Sequence, residues 1–235
     1  MTLTKKENIN ISSHPAVIFD VDGVLVDTVP FHFQAWKKVF TEEGIAFSKT
    51  EYQKINGLPR DAAIRRILKV DPSVQHIKDI GDRKQRYYLE LITKNPPQPL
   101  PGIQSFLPII RRGGWTMGAA SSSKNALVVL QTAQLAENFE VIITGYDFKH
   151  PKPHPDIFLT AAKLLGTLPA KTIVIEDAVN GVRAAVAGGF LCIGIANSES
   201  ADELGKAGAS IVVNVTSDLT IDLLHKFIFS QSSQF

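Results

Sequence analysis

Six short runs, AVIFDV, WTMGAA, EVIITG, TIVIED, LCIGIA and SIVVNV, are mostly apolar without a break rather than alternating with polar residues. A strand with one wet face alternates. Continuity marks strands covered on both faces, the condition of a parallel sheet flanked by helices. From Pro101 onward the runs take turns with segments of helical apolar spacing: IQSFLPIIRR, NALVVLQTAQL, DIFLTAAKLLG, AVNGVRAAVAGG and ADELGKAG. Strand-helix alternation predicts an α/β fold with a doubly wound, Rossmann-like parallel sheet.

The interval from about Pro30 to Asn95 breaks that rhythm. Phe33, Trp36, Val39 and Phe40, then Ile64, Ile67 and Leu68, then Tyr87, Tyr88 and Leu91 fall at helical spacing, with no strand run among them. This predicts an all-helical insertion of about four helices, residues 30–97, in a core built from residues 1–29 and 98–235. Val29-Pro30 and the stretch NPPQPLPG fence the insertion with prolines, which hold both crossing segments extended and suit them to act as a hinge.

With 235 residues the chain is long enough for one core plus a small inserted unit. A net charge of +2, with basic residues only in pairs such as Lys5-Lys6, Lys37-Lys38 and Arg65-Arg66, gives no nucleic-acid footprint. The single cysteine, Cys192, rules out an internal disulfide and reads as buried filler in FLCIGIA. MTLTKKENINISSHP has no apolar signal region, and no apolar stretch approaches the roughly 20 residues that span a bilayer. A cytoplasmic, monomeric protein without nucleic-acid or membrane partners is expected, with the tail FSQSSQF frayed.

Ligands of open parallel sheets sit outside the carboxyl ends of the strands. Four such ends carry polar residues here: Asp20 and Asp22, Ser121, Lys152, and Glu176 with Asp177. Clustered carboxylates call for a cation, and an all-oxygen set suits a hard ion such as Mg²⁺, with Asp20 and Asp177 as ligands. Ser121, Lys152 and backbone N–H groups then grip an anion. The combination points to phosphoryl transfer, with Asp20 placed as nucleophile and Asp22 as the proton carrier. Gly23 is expected to let the chain turn without a Cβ beside the phosphate.

These residues carry a resemblance. DVDGVLVDT resembles the first motif of the haloacid dehalogenase superfamily, Ser121 the second, Lys152 in KPHPDIF the third, and Glu176-Asp177 in VIEDAVNG the fourth. The finer segments HFQAWK, NGLPRDAAIRRIL, DRKQRYY, LPGI, SSSKN and PKPHPDIF are similar to the β-phosphoglucomutase-like subfamily, which has a helical cap inserted after the first motif. The resemblance implies Asp20 as nucleophile and Asp22 as acid/base, and a Mg²⁺ site of Asp20, the Asp22 carbonyl and Asp177, with Glu176 beside it. It implies Ser121 and Lys152 on the transferring phosphate, and Thr28 and His32 at the hinge. It also implies Arg60 on the far phosphate of a sugar bisphosphate, and Lys84, Ser123, Lys124 and Asn125 on the sugar side.

The chain departs from the subfamily pattern in the cap. A Lys-Gly-Val-Ser-Arg loop followed three residues later by Ser is the usual mutase sequence; Asn56-Gly57-Leu58-Pro59-Arg60 and Ala63 stand here. Three readings follow. One is a Mg²⁺-dependent β-phosphoglucomutase-like enzyme converting β-glucose 1-phosphate to glucose 6-phosphate. The second is a phosphatase of a small phosphorylated sugar or metabolite, and the third an idle scaffold, against which the full carboxylate set argues. His150 and His154 read as solvated loop residues, and with neither GxGxxG nor a Walker pattern the chain offers no nucleotide cradle.

Overall fold

The computed structural model describes residues 15–55, 58, 60–69 and 72–230. The readings of the N-terminal segment, of Asn56, Gly57 and Pro59, and of the tail past Ser230 lie outside the described residues. The described residues fall into two compact units, Thr28–Pro97 and the remainder.

The larger unit is a six-stranded sheet with every neighbouring pair parallel. The strands are β1 (Ala16–Phe19), β2 (Thr116–Ala120), β3 (Val141–Ile143), β4 (Thr172–Glu176), β5 (Leu191–Ile195) and β6 (Ile211–Val213), in the spatial order β3-β2-β1-β4-β5-β6. All six lie in the apolar runs. β1 is buried at all four positions; burying a Val, Ile or Phe side chain is worth roughly 1.5–3 kcal/mol. The chain first winds from β1 outward through β2 to β3, then returns to the other side of β1. The order therefore reverses between β1 and β4, and the carboxyl ends at such a switch point form a crevice.

Following the numbering through the smaller unit's four helices, the helices around the sheet are α5 (Ile103–Arg112), α6 (Ala126–Thr132), α7 (Asp156–Leu165), α8 (Val179–Ala187) and α9 (Ala201–Ala207). They are joined by α10 (Ile221–Ser230), which sequence patterning did not single out. Thr220 starts it, accepting a hydrogen bond from Leu223 N–H at 3.1 Å, and Leu224, Phe227 and Ile228 bury one face. Among the described residues no helix is long and apolar enough to cross a membrane. Cys192 is buried on β5, where burial pushes its thiol pKa up and keeps it a thiol.

The smaller unit holds α1 (Val29–Glu42), α2 (Lys49–Gln53), α3 (Arg60–Leu68) and α4 (Val74–Lys94). Its core gathers Trp36, Val39, Phe40, Phe47, Tyr52, Ile64, Ile67 and Ile80. Ser48 and Ser73 cap α2 and α4 by accepting from the third N–H of each helix. Arg83 on α4 bonds Asp79 and Glu42, both at 3.0 Å, and Glu43, tying α4 to the end of α1.

Candidate active site

β1 delivers Asp20 to the crevice. Its N–H donates to the Ile175 carbonyl at 2.9 Å, so the ladder with β4 runs one residue past the strand. Phe19 pairs with both Ala119 and Ile175, which sets Asp20 level with Ala120 on one side and Glu176 on the other. The chain then turns sharply: Leu25 and Val26 N–H both donate to the Val21 carbonyl, and Gly23 N–H donates to Val26 at 2.8 Å. The turn holds Asp22, half-buried, within electrostatic reach of Asp177.

Lys152 Nζ hydrogen-bonds both Asp20 Oδ1 and Glu176 Oε1. All three side chains are removed from water. Glu176 uses its other oxygen to accept from the N–H groups of Asp177 and Ala178, each at 2.8 Å, just ahead of α8. Such a buried carboxylate is tolerable only because every acceptor is used. Gly181 makes room for it, since a Cβ there would lie 1.7 Å from Glu176 Oε1.

Asp177 packs against the turn after β1. A Cβ on Gly23 would lie 1.9 Å from Asp177 Oδ2, and Gly23 has a φ of +79°. Glycine at this position therefore admits the Asp177 carboxylate as well as the left-handed turn. The expectation of a clear path for phosphate alone missed that steric reason.

Two further residues complete the cradle. Ser198 Oγ donates to Asp177 Oδ2, and Asn197 Nδ2 donates to the Gly23 carbonyl at 2.8 Å. Both lie just past β5, in a stretch that Ser200 anchors by capping α9 in a reciprocal box with Glu203. Sequence reasoning passed them over. Their signal was available: polar residues directly after a strand run that turns out to neighbour β4.

The electrostatics leave the site short of positive charge. Burial works against the Lys152 ammonium, but Asp20 and Glu176 outweigh it and hold its pKa above the ordinary lysine value. Lys152 therefore stays charged. Burial raises the Asp20 pKa well above the usual carboxylate range; Lys152 opposes this, and the charges of Glu176 and Asp177 add to it. Burial, then Glu176, pushes Asp177 up to about 7 against the Ser198 hydrogen bond and Lys152. One ammonium faces three carboxylates, and a divalent cation would remove the repulsion that adds to burial in raising both aspartates. The carboxylates of Asp20 and Asp177 fit a hard ion that takes oxygen ligands, with Glu176, whose oxygens already serve Lys152 and two N–H groups, beside them.

Ser121 follows β2 and is buried; its N–H donates to the Ile143 carbonyl at 3.0 Å. Its Oγ accepts from Ser123 N–H at 3.0 Å, and Ser123 Oγ accepts from Asn125 N–H at 3.2 Å, a chain that shapes the loop before α6. Lys124 lies over the Tyr146 ring with Nζ 4.9 Å from its centroid.

The remaining residues named from the sequence belong to the smaller unit. Thr28 is buried at the start of α1, and its carbonyl accepts from the N–H groups of Phe31 and His32. His32 stacks on Tyr88, with centroids 4.2 Å apart, and its Nδ1 lies 2.8 Å from Lys84 Nζ. Burial, then the Lys84 charge, lowers the His32 pKa to about 3, so the imidazole is neutral and Nδ1 accepts from the ammonium. Arg60 is exposed, its chain lying over Gly81 with Nη1 3.4 Å from the Gly81 carbonyl. Ala63 is buried beside Ile64 and Ile67.

Comparison with known proteins agrees with this construction. A family model described as haloacid dehalogenase-like hydrolase matches residues 17–195. The chain is 36% identical to a β-phosphoglucomutase of Bacillus subtilis over 217 residues, covering 90% of this chain and 94% of the relative. It is 31% identical to a phosphorylated carbohydrates phosphatase of Thermotoga maritima over 181 residues, 74% of this chain and 82% of the relative. A crystal structure of β-phosphoglucomutase from Clostridium difficile superposes with a TM-score of 0.79 at 31% identity, covering 94% of this chain and all of that one.

Proposed function

Because the chain belongs to the haloacid dehalogenase-like hydrolase family, an enzyme family whose relatives here are sugar phosphomutases and phosphatases, we propose that it is a Mg²⁺-dependent phosphotransferase acting on a sugar phosphate, in the manner of a β-phosphoglucomutase. The observation that carries this reading is the shared ammonium. Lys152 is gripped by Asp20 and Glu176 while Asp177 is pressed onto Gly23, so carboxylates outnumber cations at the end of β1.

Asp20 attacks the phosphorus of the substrate, the bond to the ester oxygen breaks, and Asp22 gives that oxygen its proton. The product of this step is an aspartyl-phosphate. Asp22, now ionised, takes a proton from the incoming hydroxyl as that oxygen displaces Asp20, and the cycle closes. Lys152 and Ser121 hold the phosphoryl oxygens in line while the bonds exchange. Asp20, the Asp22 carbonyl and Asp177, with Glu176 beside them, would hold Mg²⁺, which would supply the charge neutralisation that lets a carboxylate approach an anionic phosphate. From the smaller unit we assign Arg60 to a second phosphate, with Thr28, His32 and Lys84 serving the acid/base and sugar; Ser123, Lys124 and Asn125 serve the sugar from the larger one.

A phosphatase is the second reading, and Ala63 favours it. That position is buried and apolar, so it offers no hydroxyl to hold a bisphosphate. Incubation with β-glucose 1-phosphate, Mg²⁺ and a trace of glucose 1,6-bisphosphate, followed by phosphorus NMR, separates the two. Glucose 6-phosphate is the expected product. Inorganic phosphate alone overturns the mutase reading in favour of the phosphatase. Absence of both products across a panel of sugar phosphates, or unchanged turnover in Asp20→Asn, overturns both.

A further inference from the structure

Apart from the site at β1, the described residues bring one compact set of metal-ligating side chains together: His150, His154 and Asp156, with one ligand atom of each within 4.8 Å of the others. The loop that carries them was read from sequence as solvated. Both histidines are exposed, as that reading had it, and the loop is also folded on itself. His154 N–H donates to the Pro151 carbonyl at 3.0 Å, closing a turn, and His150 N–H donates to Asp156 Oδ2 at 3.1 Å. Asp156 opens α7 and receives both imidazoles, His150 Nδ1 at 2.7 Å and His154 Nδ1 at 2.9 Å, one on each carboxylate oxygen. The two rings lie 4.6 Å apart. Pro151, Pro153 and Pro155 alternate with the histidines and fix φ through the turn, so little freedom is left to lose on binding.

We propose that His150, His154 and Asp156 form a second cation site, one that takes a borderline divalent transition ion of the Zn²⁺ type and lies on the loop that presents Lys152. The donor chemistry selects the ion. Two imidazoles and one carboxylate suit Zn²⁺, Co²⁺, Ni²⁺ or Cu²⁺, whereas Mg²⁺ takes an all-oxygen set such as the one at β1. Geometry permits it. Ligand bonds near 2.1 Å in a tetrahedral arrangement put donor atoms about 3.4 Å apart, so the present N–O pairs, at 2.7 and 2.9 Å on separate oxygens of Asp156, need open by about 0.5–0.7 Å. Both histidines are exposed, and Asp156 is half-buried, leaving the remaining vertex to water.

The alternative occupant of the same donors is a proton on each imidazole, giving one hydrogen bond from His150 and one ion pair from His154 that merely brace the loop. Titrating the full-length protein with Co²⁺ in excess Mg²⁺ distinguishes them. The expected result is one Co²⁺ per chain with a visible ligand-field absorption, displaced by Zn²⁺. In the double variant His150→Gln/His154→Gln the affinity should fall by more than about a hundredfold, beyond what loss of an outer-sphere partner alone costs. As a check that needs no variant, Zn²⁺ should shift the Cε1–H signals of two of the six histidines in the wild-type NMR spectrum. No absorption in excess Mg²⁺, equal affinity in the double variant, or shifts at other histidines would each overturn the assignment.

Discussion

In the absence of Mg²⁺, Asp177→Asn should make the larger unit more stable at alkaline pH. Asp177 titrates near 7 in the folded protein against an ordinary aspartate value of 3.8, because it is buried and faces Glu176. A folded-state pKa above the unfolded value means that the folded state holds the proton more tightly. Between about pH 4 and 7 the unfolded chain has released it and the folded chain has not, so stability falls as pH rises. At roughly 1.4 kcal/mol per pKa unit, the shift to about 7 costs the native state about 4 kcal/mol once Asp177 is ionised. The side chain is almost fully buried, so solvent screening does not dilute the figure.

Asparagine keeps the shape and can still accept from Ser198, but carries no charge at any pH. Of the total, about 3 kcal/mol accrues between pH 5 and 8, and the variant should lack that part of the decline. Urea unfolding in EDTA at the two pH values reads it. Trp115 in the larger unit is the reporter, with Trp36, the second of two tryptophans, replaced by Phe in both proteins. Added Mg²⁺ should then restore the wild type at pH 8 and leave the variant unmoved. Parallel stability–pH curves for the two proteins would refute the claim that, in EDTA, an ionised Asp177 destabilises the fold.

Three shorter predictions concern neighbouring groups. Gly23→Ala should destabilise the fold by at least the roughly 1–2 kcal/mol of a left-handed non-glycine residue, and weaken Mg²⁺ binding because its Cβ displaces Asp177; unchanged Mg²⁺ affinity by calorimetry would contradict the contact. Ser198→Ala removes a hydrogen bond that lowers the Asp177 pKa, so the pKa should rise above about 7 and Mg²⁺ affinity fall more at pH 7 than at pH 9, where Asp177 is ionised in either protein. Lys84→Met removes the charge that helps depress His32, so its pKa should climb from about 3 yet stay below 6.5 because burial is the larger cause; histidine NMR titration checks both limits.

Much of this site was legible because its chemistry follows strand ends. Asp20, Ser121, Glu176 and Asp177 each close or follow a continuous apolar run, and parallel pairing forces those ends to one edge of the sheet. Lys152 was read with the strand ends as a residue of the loop after EVIITG, although it sits well past β3. Ser198 and Asn197 went unread because their roles depend on which strand β5 neighbours, and strand order is not a local property. The helix α10 escaped for a different reason: its apolar residues, Leu224, Phe227 and Ile228, stand next to a polar tail that drew attention away from their spacing. The pairing of His150 and His154 with Asp156 needs the chain to double back, which residue types separated by prolines do not announce.

The choice between mutase and phosphatase turns on smaller energies than the transfer to Asp20. In the proposed mechanism both reactions share that transfer and the proton carried by Asp22; they differ in whether a sugar hydroxyl or water takes the phosphoryl group. A well-oriented bound hydroxyl acts at an effective concentration of about 10⁵ M or more, against tens of molar for water, a margin of a few kcal/mol. Each polar contact that orients the intermediate is worth about 0.5–1.5 kcal/mol net. Replacing three of them, as Asn56, Pro59 and Ala63 do relative to the usual mutase sequence, removes an amount of the same order as the whole margin. On the proposed mechanism one unaltered carboxylate site can therefore serve either acceptor, and we propose that the sequence from Asn56 to Ala63 governs the partition.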